Sequence, residues 1–334
     1  MKADLTVTFH RAKNGLEEAK KYVGELIVGN IGVPIELESY VGPGDVLLVT
    51  KNRALNSHKG DFGKALFVGG SETFSGAPAL MSMAALRTGV DVAYTAAPEK
   101  TANDIASMSP NLIAVKLEGS YLNPSNMMTL NEYLKVVDVV VAGPGACLHG
   151  ETKEFMKALV KATEAAGKPL LLDADGLKAF AEFKRPLKVP LVLTPHAGEY
   201  EILTGKKLPE DLDERCREVQ RTAAKLGAVI LVKGKVDVIS DGARVKRNFT
   251  GNPGMTVGGT GDVLTGIVGA LLAQKADSFE AAVAGAFVNG AAGDFVAEKL
   301  GYHMVASDLL DFIPQVFNDP MSHLKVQKPF GTTH

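Results

Sequence analysis

The chain has almost no excess charge of either sign. Its 334 residues carry 36 Lys and Arg against 38 Asp and Glu, a formal charge of −2. That balance leaves no electrostatic case for binding nucleic acid or an anionic membrane surface. Cysteine is nearly absent. Cys147 and Cys216 lie far apart and match no metal-ligand spacing; they fit buried thiols in a reducing cytoplasm. No uninterrupted apolar run reaches the roughly 18–20 residues of a membrane helix. The run 263–273 is broken by Thr265, Gly266 and Gly269 and stopped by Gln274. No signal peptide is visible after Met1, where charged residues soon follow. No Gly-Lys-Ser/Thr completes a Walker loop, and no Gly-x-Gly-x-x-Gly opens a first βαβ unit. A Rossmann dehydrogenase is therefore not supported, and no internal repeat is present.

What is present is an ordinary globular composition, 46% apolar and 22% charged, with a steady alternation of patterns from His58 onward. Strand-like runs fall at 64–68, 90–96, 112–115, 136–142, 170–173, 191–194, 229–232 and 236–240. Helical patterns fall at 77–87, 151–166, 213–226, 263–274 and 278–299. Most strand runs are continuously apolar, as in strands buried on both faces. The expectation is an α/β fold, a largely parallel central sheet with helices on both faces. The runs on either side of Lys233-Gly234-Lys235 predict a hairpin and antiparallel pairing at one edge. Residues 1–55 form a separate N-terminal segment with strand-like runs at 4–9 and 24–31 and a turn cluster at 41–45; it is too small to bury a core alone. The main domain is expected over 56–318, with 319–334 a loose tail.

The richest stretch is Asn252-Pro-Gly-Met-Thr-Val-Gly-Gly-Thr-Gly-Asp262, running into a buried helix. Glycines bare the backbone, and a helix N-terminus directs unpaired N–H groups at one spot, so the loop suits an anion. Asp262 at that spot reads either as a base beside a phosphoryl group or as a helix cap. Other polar turns follow predicted strands: Gly69 to Pro78, Gly143-Pro144-Gly145, Asp173-Ala174-Asp175, Thr194-Pro195-His196 to Glu199, and Lys233-Gly234. In a parallel sheet these converge on one rim, where α/β folds bind ligands. Gly145 suits close approach to a ligand or a simple turn. Asp173 and Asp175 fit a water-bridged metal or an N-cap. His196 fits a donor to a ligand or a structural residue. Lys233 fits a phosphate contact or a solvated charge, and Glu199 a helix start or an arranger of bound water.

The order of these motifs resembles the ribokinase-like superfamily, whose Gly-Thr-Gly-Asp carries the anion hole and catalytic aspartate. His58-Lys-Gly-Asp-Phe-Gly63, Val68-Gly-Gly-Ser71, Gly76-Ala-Pro78, Ala96-Ala-Pro98, Gly143-Pro-Gly145, Asp173-Ala-Asp175, Thr194-Pro-His196 and Gly258-Gly-Thr-Gly-Asp262 together resemble the ADP-dependent NAD(P)H-hydrate dehydratases. The resemblance covers about 58–317 and implies a three-layer ribokinase-like fold. It also implies a repair reaction: the C6 hydroxyl of hydrated NADH or NADPH, in the S epimer, is phosphorylated by ADP and phosphate then leaves. The resemblance makes Asp262 the general base and the N–H groups of Gly259, Thr260 and Gly261 the anion hole. It places the hydrate near Ala77, Gly145, His196 and Asp262, and the nucleotide near Lys233, Gly234, Lys235, Val236, Asp237 and Gly261. It implies Mg²⁺ on the nucleotide phosphates, with no protein ligand assigned, a cytoplasmic location and a homo-oligomer such as a tetramer. The N-terminal piece resembles the closing segment of a fused NAD(P)H-hydrate epimerase domain. The competing readings are a kinase of the same superfamily acting on a vitamin-precursor alcohol, and a nucleotide-binding protein without chemistry; an intact Asp262 argues against the last.

Overall fold

The computed structural model describes residues 2–326. They form two compact units, one ending at Tyr40 and one beginning at Val41. In the first, β1 (Leu5–Phe9) and β2 (Glu25–Gly29) pair in parallel, Leu5 opposite Glu25 and Phe9 opposite Gly29. The short helices Asn14–Glu18 and Lys20–Val23 connect them. Among the described residues of this unit only Thr8 and Val23 are buried.

The second unit contains β3 (Lys64–Val68), β4 (Val92–Pro98), β5 (Ile113–Leu117), β6 (Val139–Ala142), β7 (Leu170–Leu172), β8 (Leu191–Leu193), β9 (Val229–Val232), β10 (Asp237–Ser240) and β11 (Val245–Asn248). The sheet order is β11-β10-β9-β8-β7-β6-β3-β4-β5. Strands β3 to β9 are all parallel, while β10 pairs antiparallel with β9 and β11. The hairpin expected at Lys233–Lys235 is the β9–β10 turn. The neighbour of β10 on its other side, β11, lacks a sequence signal because Val245-Lys-Arg-Asn248 is mostly polar, as an edge strand tolerates.

After Lys64 at the start of β3, the central strands β3, β6 and β7 are apolar throughout, yet their side chains divide strictly between two cores. Ala65, Phe67, Val139, Val141 and Leu171 face one core, with the helices Gly76–Thr88, Thr260–Ala273 and Ser278–Leu300. Leu66, Val68, Val140, Ala142, Leu170 and Leu172 face the other, with the helices Gly150–Ala165 and Leu212–Leu226. Two faces to cover explain the loss of the polar alternation. The result is the three-layer α/β architecture.

Strand order reverses between β3 and β6: successive strands are laid to one side of β3, then to the other. Ligand crevices in open α/β sheets open at such a point, beyond the strand carboxyl ends. The loops leaving β3 and β6 meet there, with Gly70 N–H donating to Pro144 O at 3.0 Å.

Two expectations need correction. Residues 41–45 are not a bare turn. Pro43 starts the helix Pro43–Val49, where its missing N–H costs nothing, and Asp45 reaches back to accept from Gly42 N–H at 2.8 Å. Val46 and Val49 enter the main core, so the compact unit begins at Val41 rather than at residue 56. Nor is the tail loose from residue 319. Pro320–Lys325 is a short 3-10 helix with Pro320 buried, and His323 Nε2 lies 2.8 Å from Asp294 Oδ2. Residues 327–334 lie outside the described residues.

Candidate active site

The loop before helix Thr260–Ala273 is glycine-rich for two local reasons. Gly259 is the N-cap at φ 98°, a left-handed conformation costly for other residues. A methyl group there would also stand 2.8 Å from Leu80 Cδ1 and from Ala306 Cβ. Thr260, Gly261 and Asp262 are the first three helical residues, so their N–H groups have no carbonyl within the helix. No other partner holds them among the described residues. Thr260 Oγ1 turns inward to Met255 O at 2.9 Å and braces the turn.

Asp262 accepts no hydrogen bond among the described residues, so it is not spent on capping. Burial and then the negative charge of Asp173 push its carboxyl up to about 7, with Lys233 opposing and Glu199 adding to the rise. Near neutral pH this side chain therefore exchanges its proton readily.

Beneath Asp262 lies a buried ionic group. Lys233 Nζ donates to Asp173 Oδ1 at 2.7 Å and stands 3.8 Å from Glu199 Oε2. Thr265, one turn along from Asp262, donates to Asp173 Oδ2 at 2.7 Å. Burial opposes the charge on Lys233, but the carboxylates of Asp173, Glu199 and Asp262 outweigh it and hold its pKa above the ordinary value. A methyl group on Gly261 would lie 3.5 Å from Lys233 Nζ, so this ammonium sits directly under the helix end. Asp173 occupies the N-cap position of helix Ala174–Ala181 yet makes no capping bond. Both its oxygens serve the site. Asp175 instead accepts from Cys147 N–H at 2.9 Å and from Lys178 at 2.9 Å.

His196 caps helix Ala197–Thr204 from the end of β8. Its Nδ1 accepts from Gly198 N–H at 3.0 Å and Glu199 N–H at 3.3 Å. The ring proton therefore sits on Nε2, on a side chain that is 58% exposed. Glu199 reciprocates, accepting from His196 N–H at 3.0 Å. On the opposite flank, Gly145 has φ 71°, and a methyl group there would meet Phe74 Cβ at 3.0 Å and Ala77 Cβ at 3.5 Å. Ala77 and Gly145 thus form one bare wall.

Residues 233–237 make the β9–β10 turn. Asp237 ties it, accepting from Gly234 N–H at 3.0 Å and Asn248 Nδ2 at 2.9 Å. Burial pushes the Asp237 carboxyl up to about 6 against those bonds. Gly234 and Lys235 are exposed and Val236 half-buried.

The structure therefore joins Asp262, Lys233, Gly261, Asp173 and Glu199 in one cluster, and Ala77 with Gly145 in another across the same rim. Two residues that the sequence does not mark as site residues prove structural partners of the site, Thr265 through Asp173 and Asn248 through Asp237. Thr265 carried one usable signal, its position one turn after Asp262 on the same helix face. Among the described residues, no cluster of three or more His, Cys, Asp or Glu could hold a metal ion. No helix there is long and apolar enough to cross a membrane.

Comparisons with known proteins bear on this geometry. The family model described as NAD(P)H-hydrate dehydratase matches residues 65–315. The bifunctional NAD(P)H-hydrate repair enzyme Nnr of Pyrobaculum aerophilum is 49% identical over 319 residues, 95% of this chain but 63% of that protein. The chain thus spans less than two thirds of that relative's length. The ADP-dependent (S)-NAD(P)H-hydrate dehydratase of Cenarchaeum symbiosum is 39% identical over 277 residues, 83% of this chain and 96% of that one. Among solved structures, the ADP/ATP-dependent NAD(P)H-hydrate dehydratase of Bacillus subtilis, co-crystallised with ATP and Mg²⁺, is similar at a TM-score of 0.71. It is 26% identical, over 86% of this chain and 99% of that one.

Proposed function

The chain belongs to the NAD(P)H-hydrate dehydratase family, and from that premise we propose that it dehydrates the S epimer of hydrated NADH and NADPH, with ADP as phosphoryl donor. The observation that carries the reading is the Asp262 carboxylate, unbonded and poised near neutrality beside three unpaired N–H groups. Asp262 takes the proton from the C6 hydroxyl of the hydrated ring. The hydroxyl oxygen attacks the terminal phosphorus of ADP, and AMP leaves. The N–H groups of Gly259, Thr260 and Gly261, with the unpaired N–H of Asp262 beside them, stabilise the charge of the phosphoryl group in flight. The C6–O bond then breaks, phosphate departs, a ring proton is lost and the reduced cofactor is restored.

The wall of Ala77 and Gly145 lets the flat ring approach, and His196 offers its Nε2–H to it. The 233–237 turn and Gly261 receive the nucleotide. Mg²⁺ bound to the nucleotide phosphates would neutralise their charge. The family favours ADP-dependent dehydration over the vitamin-precursor kinase reading. The deciding experiment incubates hydrated NADH with ADP or ATP and Mg²⁺. Return of the near-ultraviolet absorbance of NADH with release of free phosphate supports the proposal. A stable phosphate ester with no return of absorbance overturns it. Sizing of the same protein tests the homo-oligomeric state.

His196→Ala is expected to weaken hydrate binding by about tenfold, the worth of one hydrogen bond of roughly 1.4 kcal/mol, and to leave ADP affinity nearly unchanged. Calorimetric titration of each ligand decides it, and equal losses for both would move His196 out of the ring pocket.

Deleting residues 1–40 is expected to leave dehydration per folded molecule unchanged, because Asp262, Lys233 and the glycine loop all lie in the unit that begins at Val41. A cut at residue 50 is expected to destabilise that unit, since it removes buried Val46 and Val49. Thermal unfolding and the hydrate assay on both truncations separate the two outcomes. A folded, inactive 41–334 protein would place part of the site before Val41.

A further inference from the structure

The approach to the glycine loop is tied from two distant elements. Asp294, on helix Ser278–Leu300, is 1% exposed. Its Oδ2 accepts from Gly251 N–H at 3.0 Å and its Oδ1 from Asn252 Nδ2 at 3.1 Å. Asn252 in turn accepts from Gly254 N–H at 3.0 Å and starts the 3-10 turn Pro253–Thr256. Met255 of that turn provides the carbonyl that anchors Thr260 Oγ1. A chain of hydrogen bonds thus runs from Asp294 to the first residue of the anion-hole helix. The second tie is His323, whose Nε2 lies 2.8 Å from Asp294 Oδ2. Its ring is held edge-on between Phe287 at 5.3 Å and Phe295 at 6.2 Å. A buried carboxylate is held by the groups that bond it, so the His323 contact helps fix where Asp294 points.

We propose that His323 is a positioning residue for the phosphate cradle: through Asp294 it fixes residues 251–256 and hence the direction of the Thr260, Gly261 and Asp262 N–H groups. It reaches no substrate itself. The proposal rests on the dehydratase reading for its activity readout. Small displacements in such a cradle are expensive, since about 1 Å of misplacement can cost 10²-fold. His323→Ala should fold and lower kcat by about tenfold, with the KM for hydrate changed less than twofold; this split reflects a group that orients phosphate in the transition state. His323→Gln, whose Nε2 can donate to Asp294, should recover most of that loss.

A second readout is independent of turnover. Amide hydrogen exchange by mass spectrometry should show faster exchange over 251–262 in His323→Ala than in the parent, with no change over β6 and β7. Unchanged kcat together with unchanged exchange over 251–262 overturns the proposal, as does a kcat loss that His323→Gln shares in full. If the parent protein itself fails to dehydrate the hydrate, the functional reading fails. The exchange comparison then still decides whether His323 holds the loop.

Discussion

Asp262→Asn is expected to lose turnover by about 10²–10⁴-fold, the usual worth of a positioned general base, while ADP affinity stays within a few-fold. The division follows from the geometry. The cradle is backbone N–H at the start of helix Thr260–Ala273, which an asparagine leaves in place. The carboxylate alone can accept the hydroxyl proton. The same substitution carries a second signature in stability. Burial and Asp173 raise the folded pKa of Asp262 to about 7, above its ordinary 3.8. A raised folded pKa means that the folded state favours the protonated side chain, so this contribution to stability is full below the unfolded pKa and is lost as pH rises through the folded one. Asp262→Asn removes the penalised charge. It should therefore raise Tm at pH 8 and change it little near pH 3. Thermal unfolding at the two pH values, beside the absorbance assay, checks both halves. Near-parental turnover would reduce Asp262 to a residue of the helix end, and an equal Tm at pH 8 would show that its charge is not strained.

Much of the fold is legible in the sequence itself. The glycine run ending at Asp262 marks a bare loop leading into a buried helix because glycine at φ > 0 and a following apolar helix are both local demands. The continuous apolar runs give the buried parallel sheet, since every position of β6 and β7, and of β3 after Lys64, is apolar and buried. The polar turns after those strands share a rim because the strands are parallel. What stayed hidden depends on partners far along the chain. Lys233 reads as a phosphate contact or a solvated charge; its tie to Asp173, 60 positions away, is invisible to any local pattern. Thr265 sits one turn after Asp262, but nothing local names its partner until Asp173 is placed opposite it. The helix Pro43–Val49 was masked by its own Gly-Pro-Gly start, which reads as a turn until Val46 and Val49 find the core. His323 lies in a segment without periodicity, and only Asp294 gives it a position.

Asp173 is where stability and chemistry meet, and two substitutions there are expected to part them. It is 2% exposed and supplies one oxygen to Lys233 and the other to Thr265, so it links β7, β9 and the helix Thr260–Ala273. Asp173→Ala leaves the Lys233 ammonium buried without its nearest anion. Breaking a buried pair from one side costs about 3–5 kcal/mol, and denaturant unfolding should read a loss of that order. Asp173→Asn keeps the shape and a hydrogen-bonding side chain, so it should cost less and leave a folded enzyme for kinetics. Asp173 is the charged neighbour that pushes the Asp262 carboxyl upward, whereas Lys233 pulls it down. Without that negative charge Asp262 ionises more easily. A base must be ionised to accept a proton, so activity rises with pH through its pKa. The acid limb of kcat/KM, near pH 7 in the parent, should move to lower pH in Asp173→Asn. The plateau should fall at the same time, because a less basic carboxylate is a weaker proton acceptor. A limb that stays in place would mean that it reports some other group, and a limb that moves to higher pH would show that the Asp173 charge does not act on Asp262.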